Sequence, residues 1–352
     1  MNARTIGLRA DASLDIGAGH VMRCLALADA LRERGARCRF ICRAYPGNLL
    51  DLIRERGHEA RALPTTEKNT TNDDDAQQSL AALSDTSVDW LVVDHYSLDA
   101  GWERRLRAAC RRLMVIDDLA DRPHDCDLLL DQNLGRNSAD YANLVSADCK
   151  IFVGPQYALL RPEFASLRSY SLARRASPQL EHLLISMGGV DKDNATVKVL
   201  DALKDSPLPA NCRITVVMGP HAPWLVQVQA KAAQMRWATE VLVSVQNMAK
   251  LMADSDFAIG AAGTTAWERC CLGLPALTIV LANNQEHGAR ALHVAGAVLL
   301  IDDQNEVESG LMANVPLFQR PELLQEMQRA CCSITDGTGA FQLAEELTHA
   351  QY

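Results

Sequence analysis

Short apolar runs alternate with amphipathic runs along almost the whole chain. The apolar runs are rich in Val, Ile and Leu, which is typical of strands buried on both faces of a parallel sheet. Between them, apolar residues recur at helical spacing, as in Cys24, Leu27 and Leu31 after His20. This alternation predicts right-handed βαβ units and an α/β class of fold with doubly wound sheets.

The predicted strands fall into two sets that divide the chain near its middle. The first half has Thr5–Ala10, Arg39–Cys42, Asp89–Asp94, Leu113–Asp117 and Asp127–Leu130. The second half has His182–Met187, Arg213–Met218, Val241–Val243, Phe257–Gly260, Ala276–Leu281 and Val298–Ile301. A segment rich in proline, serine and arginine separates them, so we expect two Rossmann-like domains, 1–155 and 180–352, with a linker region at 156–179. Ligands of such sheets bind at the carboxyl ends of the strands, and we expect the two domains to face each other there across a cleft.

Composition narrows the class of protein. The chain is 48% hydrophobic and 22% charged, with a formal net charge of −9, which argues against a nucleic-acid or anionic-membrane surface. No apolar run approaches the ~20 residues of a membrane span, and the N-terminus leads directly into a predicted strand. We expect a cytoplasmic monomer whose 11 cysteines are reduced, mostly buried thiols.

The first candidate site is the glycine-bearing loop that follows the first strand. It contains Gly17 and Gly19, and the next residue is His20 at the start of a helix. A helix start presents free backbone N–H groups to an anion, and an imidazole suits proton transfer near neutral pH. Asp11 either orients this imidazole or contacts the substrate.

Two further glycine loops lie between a strand and a helix in the second half. One carries Gly188 and Gly189, followed by Asp191 and Asp193, which we expect to cap the next helix. The other carries Gly263, Thr264, Thr265 and Glu268. Its helix start can hold a phosphate through backbone N–H groups and hydroxyls, and Glu268 can accept hydrogen bonds from a ribose. Alternatively, Thr264 is an ordinary N-cap.

Other polar residues follow predicted strands. Asn284 and Gln285 can orient sugar hydroxyls or a water, or form the turn into a helix. Tyr96 is a candidate substrate contact, while Asp94 and Asp117 either face the site or cap loops. The polar run 65–75 predicts a surface loop, and its three consecutive aspartates predict a solvated loop or a helix cap in preference to a metal site.

Taken together, these motifs resemble the family of UDP-2,4-diacetamido-2,4,6-trideoxy-β-L-altropyranose hydrolases, enzymes of pseudaminic acid biosynthesis. The motifs that carry the resemblance span nearly the whole chain and occur in this order: 9–11, 17–23, 93–96, 116–122, 130–133, 187–191, 262–270 and 284–285. The Gly-Ala-Gly-His loop and the run 117–122 are the most specific. The chain departs from the expected phosphate loop at Ala262 and Thr264, where the family pattern has glycine and serine.

The resemblance implies the GT-B architecture and a metal-independent hydrolase that needs no cofactor. Water would attack the anomeric carbon of a UDP-sugar with inversion. His20 would be the general base, Asn284 would help to place water or sugar, and Glu268 would hold the ribose. An inverting glycosyltransferase on the same scaffold is the main alternative, and a non-catalytic nucleotide-sugar sensor is a third.

Overall fold

The computed structural model describes residues 3–65 and 71–349. The chain forms two compact units, one of Met1–Arg161 with Thr338–Tyr352, the other of Pro162–Gly337. Each unit has its own apolar core, built around the strands of one sheet.

The strands of the first unit are β1 (Thr5–Ala10), β2 (Arg37–Arg43), β3 (Glu59–Leu63), β4 (Val88–Asp94), β5 (Cys110–Ile116), β6 (Leu128–Asp131) and β7 (Lys150–Val153). Those of the second unit are β8 (His182–Ser186), β9 (Arg213–Met218), β10 (Thr239–Val243), β11 (Phe257–Ala261), β12 (Ala276–Ile279) and β13 (Val298–Ile301). Every strand expected from the sequence is present, whereas β3 and β7 were not predicted.

The helices of the first unit are α1 (Gly19–Glu33), α2 (Leu50–Glu55), α3 (Asn72–Leu83), α4 (Ala100–Leu106) and, near the end of the chain, α13 (Gly339–His349). Those of the second unit are α5 (Pro162–Arg174), α6 (Ala195–Leu203), α7 (Leu225–Ala232), α8 (Met248–Asp254), α9 (Thr265–Cys271), α10 (Asn283–Val294), α11 (Val307–Asn314) and α12 (Pro321–Ile334). No helix of the described residues has both the length and the apolar character needed to cross a membrane.

Each sheet is parallel and reverses its strand order once. In the first sheet the order is β3-β2-β1-β4-β5-β6-β7, so the reversal lies between β1 and β4, where Ala10 pairs with Asp94. In the second sheet the order is β10-β9-β8-β11-β12-β13, and the reversal lies between β8 and β11. Loops that leave two such strands diverge to opposite faces of the sheet, which opens a crevice at their carboxyl ends.

The unit boundaries differ from the predicted domains in two respects. The division falls at Arg161, and the predicted linker region contributes α5 to the second unit. In addition, α13 returns to the first unit and packs against α1. Burial of apolar side chains explains why α13 packs on the first unit, because Leu343 and Leu347 are completely buried in its core.

Two further predictions concern local structure. The predicted loop 65–75 lies partly outside the described residues, at 66–70. Its described end contains the start of α3, where the Thr71 hydroxyl accepts a hydrogen bond from Asp74 N. The helix cap that was one of the two alternatives is confirmed for Asp74, whose Oδ2 accepts from Thr71 N, whereas Asp75 is buried and not solvated. All the cysteines are free thiols, and most are buried.

Candidate active site

His20 lies in the first turn of α1, directly beside the strand reversal of the first sheet. The preceding loop is closed by Ser13, whose hydroxyl accepts a hydrogen bond from Ile16 N and whose carbonyl accepts one from Gly17 N at 2.9 Å. Gly17 has φ of +82°, a conformation that a glycine adopts without strain. His20 is 9% exposed, so the loop delivers a nearly buried imidazole to the carboxyl edge of the sheet.

The His20 ring is held by a carboxylate at the end of β4. His20 Nδ1 lies 2.6 Å from Asp94 Oδ1, and Asp94 is completely buried. Arg23, one helical turn after His20, donates from Nε and Nη2 to the two oxygens of Asp94, each at 2.6 Å. An ionised carboxylate only accepts hydrogen bonds, so in the neutral ring Nδ1 carries the proton and Nε2 keeps its lone pair.

The charge of Arg23 decides the ionisation of Asp94. Burial opposes the charged form, but the guanidinium and the hydrogen bonds from Arg23 and His20 outweigh it and hold the pKa of Asp94 well below its usual range. Asp94 is therefore a permanent anion behind the imidazole. No residue of the described first unit hydrogen-bonds His20 Nε2, which leaves that nitrogen able to take a proton.

Two more groups complete the surroundings of His20. The Tyr96 ring packs edge-on against the imidazole with the ring centroids 4.6 Å apart. Tyr96 also donates its hydroxyl proton to Asp118 Oδ2 at 3.2 Å. Asp118 in turn accepts from Arg23 Nη1 with both oxygens, at 2.9 and 3.0 Å. The structure thus brings together His20 and Tyr96, both predicted site residues, with Asp94, for which facing the site was one of two alternatives. Arg23 and Asp118, to which the sequence assigned no role, join them.

Asp11 has a different environment from the one expected. It is 1% exposed, and Arg9 donates to both of its oxygens at 2.6 and 2.9 Å. Its other partners are the backbone N–H of Arg43 at 2.7 Å and the His95 ring, whose Nε2 is 3.4 Å from Asp11 Oδ2. The described contacts of Asp11 therefore join β1 to β2 and to His95, and none of them reaches His20.

Asp117 caps a loop, the second of the two alternatives that the sequence left open. Its Oδ2 accepts from Ala120 N at 2.7 Å and from the Tyr141 hydroxyl at 3.1 Å. Arg122 donates to Oδ1 at 3.1 Å. Asp94 has the opposite role, since it contacts the imidazole directly.

In the second unit, the loop after β8 carries Gly188 and Gly189. A Cβ built on either glycine would meet no atom within 4 Å, and Gly188 has φ of +89°. Packing therefore does not explain the glycine at 189, whereas the approach of a ligand to the backbone would. Asp191 accepts from the amides of Ala195 and Thr196 at the start of α6, as predicted.

The loop after β11 has a similar opening. A Cβ on Gly263 would meet only Gln285 Nε2, at 3.9 Å. Thr264 precedes α9, but its side chain makes no capping hydrogen bond, which leaves its hydroxyl for other partners. This differs from the ordinary N-cap that was the alternative interpretation.

Arg269 lies beneath that loop and is 2% exposed. It donates from Nη2 to Ala261 O at 2.9 Å and from Nη1 to Thr265 Oγ1 at 3.3 Å. Burial lowers the pKa of Arg269, although Glu268 and neighbouring thiols partly offset this effect. Gly260 leaves room for the guanidinium, since a Cβ there would lie 2.7 Å from Arg269 Nη1. A buried guanidinium, bonded to a carbonyl and a hydroxyl oxygen, thus lies beneath the loop predicted to receive phosphate.

The amides Asn284 and Gln285 lie in the first turn of α10, as the helix-turn interpretation predicted. Gln285 Oε1 accepts from Leu281 N at 3.2 Å, and its Nε2 faces Gly263. The second unit therefore brings Gly263 and Gln285 together.

Arg23 is a residue of the first unit to which the sequence analysis gave no role. The sequence signal that could have identified it is its spacing on α1, one turn after His20 and on the same helical face.

Comparisons with known proteins show what the chain resembles. Residues 185–343 match the model of the glycosyltransferase family 28 C-terminal domain. The UDP-2,4-diacetamido-2,4,6-trideoxy-β-L-altropyranose hydrolase of Campylobacter jejuni is 28% identical over 290 residues, which cover 82% of this chain and 96% of that protein.

Two other relatives extend the comparison. An uncharacterized protein of Methanocaldococcus jannaschii is 25% identical over 80% of this chain, but the match covers 56% of its own length. The crystal structure of MurG from Acinetobacter baumannii superposes with a TM-score of 0.69 over 98% of this chain and 99% of that one, at 15% identity. The chain thus has the GT-B fold, residues 185–343 are similar to the C-terminal domain of glycosyltransferase family 28, and the resemblance to the UDP-diacetamido-trideoxy-altropyranose hydrolases is confirmed.

Proposed function

We propose that this protein hydrolyses UDP-2,4-diacetamido-2,4,6-trideoxy-β-L-altropyranose to UDP and the free 2,4-diacetamido-2,4,6-trideoxy sugar. The observation that carries the proposal is His20 Nδ1 held 2.6 Å from the buried Asp94 carboxylate, which leaves Nε2 as a base. The relative of 28% identity whose name states this reaction supports the choice of substrate.

The reaction needs one group that accepts a proton from water and other groups that stabilise the negative charge developing on the UDP leaving group. In our proposal, a water oxygen attacks the anomeric carbon while His20 Nε2 takes a proton from it. The bond from C1 to the diphosphate oxygen breaks with its electron pair, and UDP leaves from the opposite face, so the configuration inverts. One positioned base contributes about 10²–10⁴-fold to such a step.

The second unit would bind UDP in this scheme. The open space above Gly189 and Gly263 supports close approach of the diphosphate to the backbone. The Thr264 hydroxyl and the start of α9 would receive the charge that develops on the leaving group, and Glu268 would accept hydrogen bonds from the ribose. The buried guanidinium of Arg269 adds a fixed positive charge beneath the same loop.

An inverting glycosyltransferase remains the second candidate, because the family 28 domain match supports it. The same base would then act on an acceptor hydroxyl. A lipid acceptor would favour an exposed basic patch, and the arginines around α4 are the candidate patch. Four of these arginines each form an ion pair with an aspartate: Arg104, Arg105, Arg107 and Arg111. This pairing favours the hydrolase.

The decisive experiment is incubation of the purified protein with the altro-configured UDP-sugar in buffer alone, followed by proton NMR. We expect release of UDP without any acceptor, initial formation of the inverted anomer, and unchanged turnover in EDTA. His20→Ala should abolish turnover and leave UDP affinity, measured by calorimetry, nearly unchanged. UDP release only after a sugar acceptor is added would favour the glycosyltransferase. Tight binding without any product would favour the sensor.

A further inference from the structure

Asp118 occupies a central place beside the proposed base without touching it. One of its oxygens accepts from Tyr96, and both accept from Arg23. These two residues are in turn direct neighbours of His20, because Tyr96 packs on the ring and Arg23 Nη2 is 3.4 Å from His20 Nδ1. A single carboxylate thus holds two of the groups that surround the imidazole.

The charges around His20 are unbalanced until the ring is protonated. Asp94 from β4 and Asp118 from the loop after β5 are negative, and Arg23 from α1 is positive. Burial raises the pKa of the neighbouring Cys24 thiol, which therefore stays neutral, and Tyr96 donates its hydroxyl proton to Asp118. Farther from the ring, Arg136 donates to the backbone carbonyl of Asp118 and pairs with Asp131 at 3.5 Å, so these two opposite charges offset each other. Without Asp118, the cation of Arg23 would cancel Asp94 and would oppose a second cation beside it. With Asp118 present, an imidazolium makes the cluster neutral.

The backbone that carries Asp118 is strained and firmly fixed. Ala120 has φ of +53°, a left-handed conformation that costs a residue with a Cβ roughly 1–2 kcal/mol. Asp117 holds the Ala120 amide at 2.7 Å, and Arg136 donates to Leu119 O at 2.8 Å. Strain of this kind persists where the surroundings over-determine the conformation, which is common near functional sites.

We propose that Asp118 is a positioning residue that acts through Arg23 and Tyr96 to stabilise the imidazolium of His20 once the base has taken its proton. The inference rests on the proposed function for its role in turnover, but the arrangement itself is testable without turnover. The adjacent Asp117 fixes the loop, and Asp118 is the carboxylate that this loop presents. Its side chain is 13% exposed, at the open edge of the sheet.

The test compares Asp118→Asn with Asp121→Asn. The first substitution keeps the shape and one acceptor oxygen but removes the charge. The second removes an exposed charge from the same loop, where Asp121 pairs with Arg122. We expect Asp118→Asn to lower kcat about 10–100-fold, to leave KM within about twofold, and to move the acid limb of the rate profile to lower pH. Asp121→Asn should behave as the unaltered protein.

The second readout is the NMR titration of the His20 imidazole, assigned by comparison with His20→Ala. Its midpoint should fall by about 0.5–1 pH unit in Asp118→Asn, whether or not the protein hydrolyses the UDP-sugar. A midpoint and rate profile that do not move would overturn the proposal, even if the rate drops uniformly. Tyr96→Phe, which keeps the ring and loses the hydroxyl, should give a smaller change in kcat. If the unaltered protein has no hydrolase activity but the midpoint shifts, the proposed function fails and the positioning role stands.

Discussion

The carboxyl edges of the two sheets differ in the residues that they carry. At the reversal of the first sheet, the strand ends and the adjoining helix carry buried ionisable side chains: His20, Arg23 and Asp94. At the reversal of the second sheet, the corresponding loops carry glycines above which a side chain would meet open space. In the proposed function, side chains of the first edge would supply a proton acceptor, whereas backbone N–H groups of the second edge would supply contacts for an anion.

The two edges should also differ in how strongly a substitution changes the free energy of unfolding. Buried charges need partners, so removal of one member leaves another uncompensated and destabilises the unit. A substitution in an open glycine loop leaves no buried charge without a partner, because it changes access to the backbone more than it changes packing. The first edge should therefore be sensitive in both stability and rate, and the second mainly in affinity.

The largest expected effect comes from Asp94→Asn at the first edge. The substitution removes the anion behind His20 and one of the two carboxylates that Arg23 contacts. We expect kcat to fall about 10²–10⁴-fold and the free energy of unfolding to drop by about 3 kcal/mol. Turnover and thermal melting measure the two effects, with the exposed Asp121→Asn as control. A full rate would exclude the Asp94 carboxylate from the proposed mechanism.

At the second edge, Gly189→Ala and Gly189→Val should act on affinity alone. Because a Cβ at 189 meets no protein atom, the melting temperature should stay within about 2 °C of the unaltered value. The Kd for UDP should rise with side-chain size, by about tenfold or more for valine. Calorimetry with UDP tests this. Equal affinity in all three proteins would show that the diphosphate does not approach this loop.

An intermediate effect on the pH dependence of stability is expected from Asp131→Asn at the end of β6. Burial raises the pKa of Asp131 to about 6, whereas the unfolded carboxyl titrates near 3.9. The folded state therefore binds the proton more tightly, and stability falls as pH rises from about 4 to 6, by about 3 kcal/mol in total. Asp131→Asn resembles the protonated acid and can donate to Tyr141, the partner of Asp131 Oδ2. Calorimetric melting should show a flatter pH dependence in the variant, and an unchanged slope would contradict the assignment.

The smallest effects come from exchanging residue types at two left-handed positions, one on each edge. Ala120→Gly relieves a strained alanine but adds freedom to the unfolded chain, so we expect a gain of at most about 1 kcal/mol. Gly188→Ala, at φ of +89°, should cost about 1 kcal/mol. Denaturant unfolding compares the two. The same sign for both would show that backbone conformation does not control these loops.

Sequence patterning was sufficient for the central strands of both sheets and for the edge strands β10 and β13 of the second sheet, but it missed the two edge strands of the first sheet. Central strands are apolar on both faces and therefore form continuous apolar runs. The strands β3 and β7 lie at the two edges of their sheet, with the sequences Glu-Ala-Arg-Ala-Leu and Lys-Ile-Phe-Val. Their partial exposure removes the apolar signal. The return of α13 to the first unit is a long-range packing choice that no local pattern encodes.

Some residues of the candidate site could likewise be predicted from local sequence, and others could not. The glycine loops and His20 have local signatures, because a strand, a loop and a helix start are consecutive in sequence. The contacts of Arg23 with Asp94 and Asp118 join residues 71 and 95 positions apart, so only the folded sheet brings them together. Asp117 and Asp118 are neighbours with opposite roles, and residue type alone does not distinguish them.

The placement of α13 has a consequence for synthesis on the ribosome. The helix α1, which bears His20, is translated before the second unit, whereas α13, which packs against α1, is translated after that unit. The second unit is contained within the first in chain order, so it can complete its core while the first still lacks a helix. A nascent chain stalled before Leu343 would therefore expose apolar surface on α1, and the first unit would complete its core only after the second unit has been translated.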